Sequence, residues 1–278
     1  MKEFLYFDKE TNNLSKVNRT LMFGEGVFET FRYKQSLPVF FSLHMERLKA
    51  SCDAIKINFP GDFYIETIVE KFVKEHSTNH INNVIKDLMI KVILFSSGGA
   101  SYGDQSENTI VCISIKEEDT QFSEGIKIKI ADNIKFSNDI ISKHKTTNYL
   151  LSSIEKKIAL ESGFDDALFI NENNIVSETT AGNFFWIKGS NVFTPSLQTG
   201  ALDGITRRLI LKVCRKNKIR LYEGEFEPGS IIFPEAMFIT NSVRGIVEVL
   251  NLNNTTKPTR TNKLFPTIKK GLFDILNW

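Results

Sequence analysis

Three short segments of this chain carry residue types that could do chemistry together. The first is His144-Lys145-Thr146-Thr147-Asn148, and Val176-Ser177-Glu178 and Gly204-Ile205-Thr206 follow it in that order. A lysine can attack a carbonyl carbon, but a free lysine has a pKa of about 10.4 and must be desolvated or placed near another cation to react at neutral pH. A Gly-Ile-Thr turn before a helix can point backbone amides at an anion. Taken singly, the three segments also fit a solvated lysine, a surface glutamate and a helix cap.

In this order the segments resemble class IV (fold type IV) pyridoxal-phosphate enzymes, a family that includes branched-chain and D-amino-acid aminotransferases and 4-amino-4-deoxychorismate lyase. The resemblance implies that Lys145 binds the aldehyde of pyridoxal 5'-phosphate and serves as the catalytic base, and that Glu178 contacts the pyridine nitrogen. A carboxylate there keeps the ring protonated, and the protonated ring is the electron sink. Asn148-Tyr149-Leu150 resembles the segment whose tyrosine meets the cofactor's phenolic oxygen. From the residues alone, Tyr149 is equally a core aromatic at a helix start.

The remaining predicted site residues rest on three further motifs. His44-Met45-Glu46-Arg47-Leu48 resembles the family's His-x-x-Arg-Leu, whose arginine reaches the phosphate as a fork. Ile205 and Thr206 are expected to add phosphate contacts, and the turn 240–245 implies Ser242 for phosphate and the amides of Val243 and Arg244 for the substrate carboxylate. The stretch 24–32 lacks the third glycine and following helix of a nucleotide loop, and it resembles the strand that lines the substrate pocket. That strand places Phe28 and Thr30 in the pocket.

The segment after the predicted strand near residue 95 bears on the reaction. D-amino-acid transaminases carry an arginine and a histidine there, whereas this chain reads Phe-Ser-Ser-Gly-Gly-Ala-Ser-Tyr-Gly over 95–103. Gly98, Gly99 and Tyr102 resemble the glycine-rich segment of the lyases, although the lyase arginines are missing, and Thr30 matches a lyase position that often holds a hydroxyl. These features favour a lyase of the folate pathway, with Tyr102 at the substrate. A branched-chain or D-amino-acid aminotransferase is the alternative, and a non-catalytic relative is a weaker one.

Alternating strand and helix patterns predict an α/β (α+β) chain, and its length predicts two domains. The resemblance implies the two-domain fold of the D-amino-acid aminotransferases, fold type IV. We expect a first domain over 1–116, a polar linker over 117–125 and a cofactor-binding domain over 126–278. Apolar residues recur at helical spacing over 40–58, with Ser42 as a candidate N-cap, and over 64–75. Runs rich in β-branched and aromatic residues predict strands over 5–7, 27–33, 89–95 and 109–115, then over 126–130, 166–170, 183–187 and 236–240. Further helices are expected over 149–162 and 206–216, and a polar loop over 251–262.

Composition narrows the class of protein. The net charge of +2, with basic residues dispersed among acids, predicts no nucleic-acid partner, and no apolar run approaches a membrane span. Three dispersed cysteines fit a reducing cytoplasm. His76 and His80 lack a third ligand at a matching offset, so we expect no metal site and place both at a polar helix end. A small-molecule substrate is expected, and the resemblance implies a homodimer, with which the 23 phenylalanines agree.

Overall fold

The computed structural model describes residues 3–8, 18–80, 87–99, 101–117, 125–259 and 262–278. These residues form two compact units. The first takes in the described part of Met1–Thr120 together with His144–Asn148, and the second takes in the described part of Gln121–Lys143 and Tyr149–Trp278. The predicted linker lies largely in 118–124, outside the described residues, so its bounds stay a prediction.

The first unit is built on a four-stranded antiparallel sheet. Its strands are β1 (Glu3–Phe7), β2 (Gly26–Tyr33), β3 (Leu88–Gly98) and β4 (Ser106–Glu117), in the order β1-β4-β3-β2. The unit also contains α1 (Arg19–Phe23), α2 (Phe41–Ile55) and α3 (Asp62–His80). Because side chains alternate along a strand, one face of the sheet supplies Val27, Phe31 and Tyr33 to a core that also includes buried residues of α2 and α3. The four strands predicted for this domain are confirmed.

Two details of the helices differ from expectation. Helix α2 begins at Phe41 with Phe40 as its N-cap, and no side chain caps it, so the prediction for Ser42 is wrong. His76 does not lie at a polar helix end, because it is fully buried and its Nδ1 is 3.2 Å from the hydroxyl of Tyr6. The side chain of His80 lies outside the described residues.

The segment His144–Asn148 belongs to the first unit although the sequence pattern assigned it to the second domain. It runs antiparallel to the start of β2, with Thr146 paired to Val27. The Phe28 N–H donates to the Lys145 carbonyl at 2.9 Å, and the Thr147 N–H donates to the Gly26 carbonyl at 2.8 Å. These ladder bonds join residues far apart in the chain, so no local sequence pattern reports them.

The second unit is an eight-stranded sheet in the order β10-β9-β8-β11-β12-β5-β6-β7, which closes because β7 also pairs with β8. Its strands are β5 (Ile126–Ile130), β6 (Asp166–Ile170), β7 (Val176–Thr179), β8 (Asn183–Lys188), β9 (Asn191–Pro195), β10 (Arg220–Gly224), β11 (Ala236–Asn241) and β12 (Gly245–Leu252). Its helices are α4 (Ile140–Lys143), α5 (Leu150–Glu161), α6 (Ile205–Lys216) and α7 (Leu264–Leu276).

The strands β5, β6, β8 and β11 and the helices α5 and α6 confirm the predicted elements of the second domain. The predicted loop over 251–262 begins too early, because β12 continues to Leu252 and carries Asn251 in its ladder with β5. Sequence patterns did not indicate β9, β10, β12 or α7, whereas β7 is the second strand of a hairpin expected from the turn Asn171-Glu172-Asn173-Asn174 between two apolar runs. Among the described residues no helix has the length and apolar character needed to cross a membrane.

Candidate active site

Lys145 is fixed at its backbone by the ladder with β2. Its ammonium nitrogen lies 4.1 Å from the centroid of the Phe28 ring. Lys91 of β3 reaches the same ring, with its nitrogen 4.3 Å from the centroid, and its backbone is paired with that of Thr30. Burial lowers the pKa of Lys91. The predicted base therefore shares an aromatic platform with a second lysine, and the contact with the ring fixes where its ammonium lies.

Phe28 and Thr30 lie on the same face of β2, because side chains two residues apart in a strand point the same way. Phe28 is buried and Thr30 is half-buried. The strand thus brings both predicted pocket residues to the face on which the Lys145 ammonium lies. Thr30 is the residue of β2 nearest to Phe28 that could present a hydroxyl on this face.

The opposite face of β2 carries Glu29, which is fully buried and holds two residues of α2. Arg47 forks onto it, with Nε 2.7 Å from Oε1 and Nη2 2.8 Å from Oε2. The Nδ1 of His44 is 2.7 Å from Oε2. Burial by itself raises the pKa of Glu29, but Arg47 and His44 outweigh it and lower the value to about 2. Burial lowers the pKa of His44, and the charges of Arg47 and Lys145 act in the same direction.

Arg47 is therefore held by a carboxylate of its own chain. Its predicted role at the cofactor phosphate stays a prediction, since the described bonds show what orients the guanidinium and not what it binds in addition. Sequence reasoning missed Glu29 and treated His44 only as part of a motif. A signal was present, because an acid between Val27 and Phe31 on the apolar face of a strand must be paired to be buried.

The turn before β2 is held by Asn148, whose Nδ2 donates to the Gly24 carbonyl at 2.9 Å. Gly24 has φ of +73°, and a Cβ there would clash with Oδ1 of Asn148. The position therefore requires glycine for both its conformation and the space above it. Sequence reasoning identified Asn148 only as part of a motif. In the structure, Asn148 ties the predicted pocket strand to the segment of Lys145.

In the second unit, Glu178 lies in β7 with its side chain almost fully buried. The ammonium of Lys135 contacts Oε1, and Nδ2 of Asn183 donates to Oε2 at 3.1 Å. Asn183 Nδ2 also donates to the Leu202 carbonyl at 2.8 Å, which ties β8 to the chain before α6. The predicted nitrogen-binding carboxylate is therefore held at both oxygens. Sequence reasoning missed Lys135, and nothing in its sequence context distinguished it from other lysines.

Helix α6 begins at Ile205 with Gly204 as its N-cap and no side chain capping it. The first-turn residues Ile205 and Thr206 are buried, and the hydroxyls of Thr206 and Ser242 lie 3.5 Å apart. A Cβ on Gly204 would clash with Oδ1 of Asn183. The structure thus brings together three of the predicted phosphate residues at the uncapped N-terminus of a helix.

These residues fit a phosphate ester such as that of pyridoxal phosphate. Uncapped first-turn amides carry the positive end of the helix dipole, and two hydroxyls can donate to phosphate oxygens. Thr240, two residues before Ser242, has a buried Oγ1 with no hydrogen-bond partner among the described residues. A buried hydroxyl without a partner is expected to serve a ligand or water.

The predicted substrate amides have a partner inside the chain. The N–H groups of Val243 and Arg244 donate to Oδ1 of Asn241 at 3.1 Å and 2.8 Å. A substrate carboxylate could bind these two amides only if the side chain of Asn241 moved away. The role of the amides therefore stays a prediction, and it requires that movement of Asn241. This Asx turn is a local motif that the order Asn-Ser-Val-Arg could have indicated.

The two predicted tyrosines are placed differently. Tyr149 is the N-cap residue of α5 and is 40% exposed, so it is not the core aromatic that was the alternative interpretation. Tyr102 is 87% exposed, and its ring centroid lies 4.9 Å from that of Phe23. Both roles, at the cofactor oxygen and at the substrate, stay predictions.

Comparison with known proteins shows the family of this chain. The sequence pattern of the family described as amino-transferase class IV matches residues 26–252. The "Aminodeoxychorismate lyase" of Bacillus subtilis is 29% identical over 254 residues, which are 87% of this chain and 82% of that protein. The "Putative branched-chain-amino-acid aminotransferase" of Methanocaldococcus jannaschii is 25% identical, over 89% of this chain and 85% of that protein. A crystal structure of "Putative 4-amino-4-deoxychorismate lyase" from Legionella pneumophila matches with a TM-score of 0.84 at 26% identity, over 93% of each chain.

Proposed function

Because this chain belongs to the class IV aminotransferase family, and is therefore an enzyme that depends on pyridoxal 5'-phosphate, we propose that it cleaves 4-amino-4-deoxychorismate into 4-aminobenzoate and pyruvate. The similarity to lyases from Bacillus subtilis and Legionella pneumophila supports this reaction. The observation that carries the proposal is the structure of the segment after β3, where D-amino-acid transaminases have a cationic clamp.

The buried side chain of Arg19 holds that segment by hydrogen bonds to its backbone. Nη1 of Arg19 donates to the carbonyls of Gly99 and Ser101 at 2.6 Å and 2.9 Å. The other edge of the guanidinium forks onto Glu25, with both nitrogen–oxygen distances at 2.7 Å. Its donors are thus used inside the unit, and the segment itself contains no arginine or histidine. A carboxylate of a D-amino acid finds no fixed side-chain cation on it.

The residues of the chain have separable tasks in this reaction. When bound, pyridoxal phosphate supplies an electron sink for the carbon that carries the amino group. Nζ of Lys145 takes the proton from that carbon as general base. The bond between the ring and the enolpyruvyl oxygen then breaks, the ring becomes aromatic, and the departing three-carbon fragment gains a proton to become pyruvate. Thr30, on the Lys145 face of β2, would hydrogen-bond the departing oxygen.

A branched-chain aminotransferase is the second candidate, and the similarity to the Methanocaldococcus protein favours it. The first proton transfer to Lys145 would be the same in both reactions, and an aminotransferase would differ in that no bond to oxygen breaks after it. Fold and cofactor do not separate the two activities. A non-catalytic relative is disfavoured by the lysine held against Phe28.

The test is incubation of the purified enzyme with aminodeoxychorismate and, separately, with leucine or D-alanine plus 2-oxoglutarate. We expect 4-aminobenzoate and pyruvate in equal amounts from the first mixture and much slower glutamate formation in the second. Thr30→Val should slow the elimination while leaving cofactor binding unchanged, and Lys145→Ala is the inactive control. Rapid glutamate formation without 4-aminobenzoate would replace the lyase with an aminotransferase.

We also propose that the enzyme is a homodimer and works in the cytoplasm as part of folate biosynthesis. The family resemblance supports the dimer, and three free, buried cysteines agree with a reducing compartment. Light scattering at assay concentration should give twice the mass of the chain. An active monomer would contradict the dimer and leave the reaction untouched.

A further inference from the structure

The carboxylate of Glu178 has a cation of its own chain bound to it. Lys135 contacts Oε1, and the side chains of Lys135 and Glu178 are only 14% and 11% exposed. The Lys135 N–H donates to the Ile170 carbonyl at 2.9 Å, at the end of β6. The lysine is therefore anchored at its backbone and reaches the carboxylate from a fixed position, within one compact unit.

The contact restricts how the carboxylate can turn. Asn183 holds Oε2 at 3.1 Å, and Asn183 is itself tied to the Leu202 carbonyl. An ionised carboxylate can accept at about four lone-pair positions. The two bonds use one position on each oxygen, so each oxygen keeps a lone pair that can accept a further N–H while the carboxylate is held against rotation.

The contact with Lys135 is also an ion pair. A hydrogen bond between two charged groups is shorter and stronger than one between neutral groups. The ammonium of Lys135 is therefore a stronger restraint on the orientation of the Glu178 carboxylate than the amide of Asn183 is.

We propose that Lys135 is a positioning residue that orients the Glu178 carboxylate toward the pyridine nitrogen of the cofactor. The proposal rests on the proposed role of Glu178. It assigns a function to a lysine outside the predicted site, and it implies that removing the ammonium weakens cofactor binding only while the carboxylate is present.

The test is the dissociation constant of pyridoxal phosphate near neutral pH, measured by quenching of intrinsic fluorescence, for the parent, Lys135→Met and Lys135→Arg. Without the ammonium, the carboxylate is held by Asn183 alone and can turn away from the cofactor. We expect Lys135→Met to weaken binding by about tenfold, the effect of losing one hydrogen bond to a charged group. Lys135→Arg keeps the charge and should retain most of the parent's affinity, and it also serves if the methionine variant does not fold.

Two comparisons make the result specific. Lys129→Met removes a lysine of similar exposure, 15%, that pairs with Asp132 at 2.6 Å, and it should leave the affinity unchanged. In a Glu178→Gln background, Lys135→Met should cause no further loss of affinity, because the lysine acts through the carboxylate. A Lys135→Met affinity equal to that of the parent, or an equal loss in the Glu178→Gln background, would overturn the proposal. Failure of the parent to bind the cofactor would instead reject the assigned site.

Discussion

Replacing Glu29 by glutamine should cost the protein much of its stability, because it removes the buried carboxylate that holds both Arg47 and His44. The pair lowers the pKa of Glu29 from 4.5 to about 2. At about 1.36 kcal/mol per pH unit, this difference corresponds to about 3 kcal/mol of folding free energy at neutral pH. Removing one partner of a buried ion pair generally costs about 3 to 5 kcal/mol, and the two estimates agree.

The pH dependence has a definite sign. A carboxyl group whose pKa is lower in the folded state stabilises the fold fully above its unfolded value of 4.5, and this contribution is lost as the pH falls toward about 2. The difference in unfolding free energy between the parent and Glu29→Gln should therefore be largest near pH 7 and shrink below pH 4.5. A variant that had merely disturbed packing would show a difference that does not depend on pH.

The assay is urea unfolding of the cofactor-free protein followed by circular dichroism, since bound cofactor would add its own stabilisation. Glu46→Gln is the matched control, because Glu46 precedes Arg47 in α2 and has an exposed side chain. It should lie within about 0.5 kcal/mol of the parent. If Glu29→Gln is no less stable than Glu46→Gln, or if its deficit stays constant down to pH 3, the reasoning about the buried pair is refuted.

Three further outcomes are expected. Borohydride reduction and peptide mapping should place the pyridoxyl group on Lys145, and a label on another lysine would contradict the assignment. Arg47→Ala should lose more of the cofactor on dialysis than Arg47→Lys does. Equal retention in the two variants would show that Arg47 binds Glu29 and not the cofactor. Gly204→Ala should raise the dissociation constant of pyridoxal phosphate, because its Cβ would clash with Oδ1 of Asn183, and retention of parent affinity would show that this asparagine can move.

Much of the site could be predicted from the sequence because its parts are local motifs. Gly204-Ile205-Thr206 opens an apolar helix, and first-turn amides without a side-chain cap can bind an anion. Side chains alternate along the pocket strand 26–33, so the spacing of Phe28 and Thr30 alone assigns both to one face. The order of Lys145, Glu178 and this turn along the chain was enough to indicate the family, because each motif is made of adjacent residues and can be read without the tertiary structure.

Other features depended on the tertiary structure. The sequence placed Lys145 in the second domain, but antiparallel pairing with β2 puts it in the first unit, and such pairing depends on residues more than a hundred positions apart. The buried contacts of Glu29 with Arg47 and of Glu178 with Lys135 have the same origin. The sequence does not distinguish a solvated lysine or glutamate from a paired one. Only the packing around the side chain decides its charge, its orientation and what it can bind.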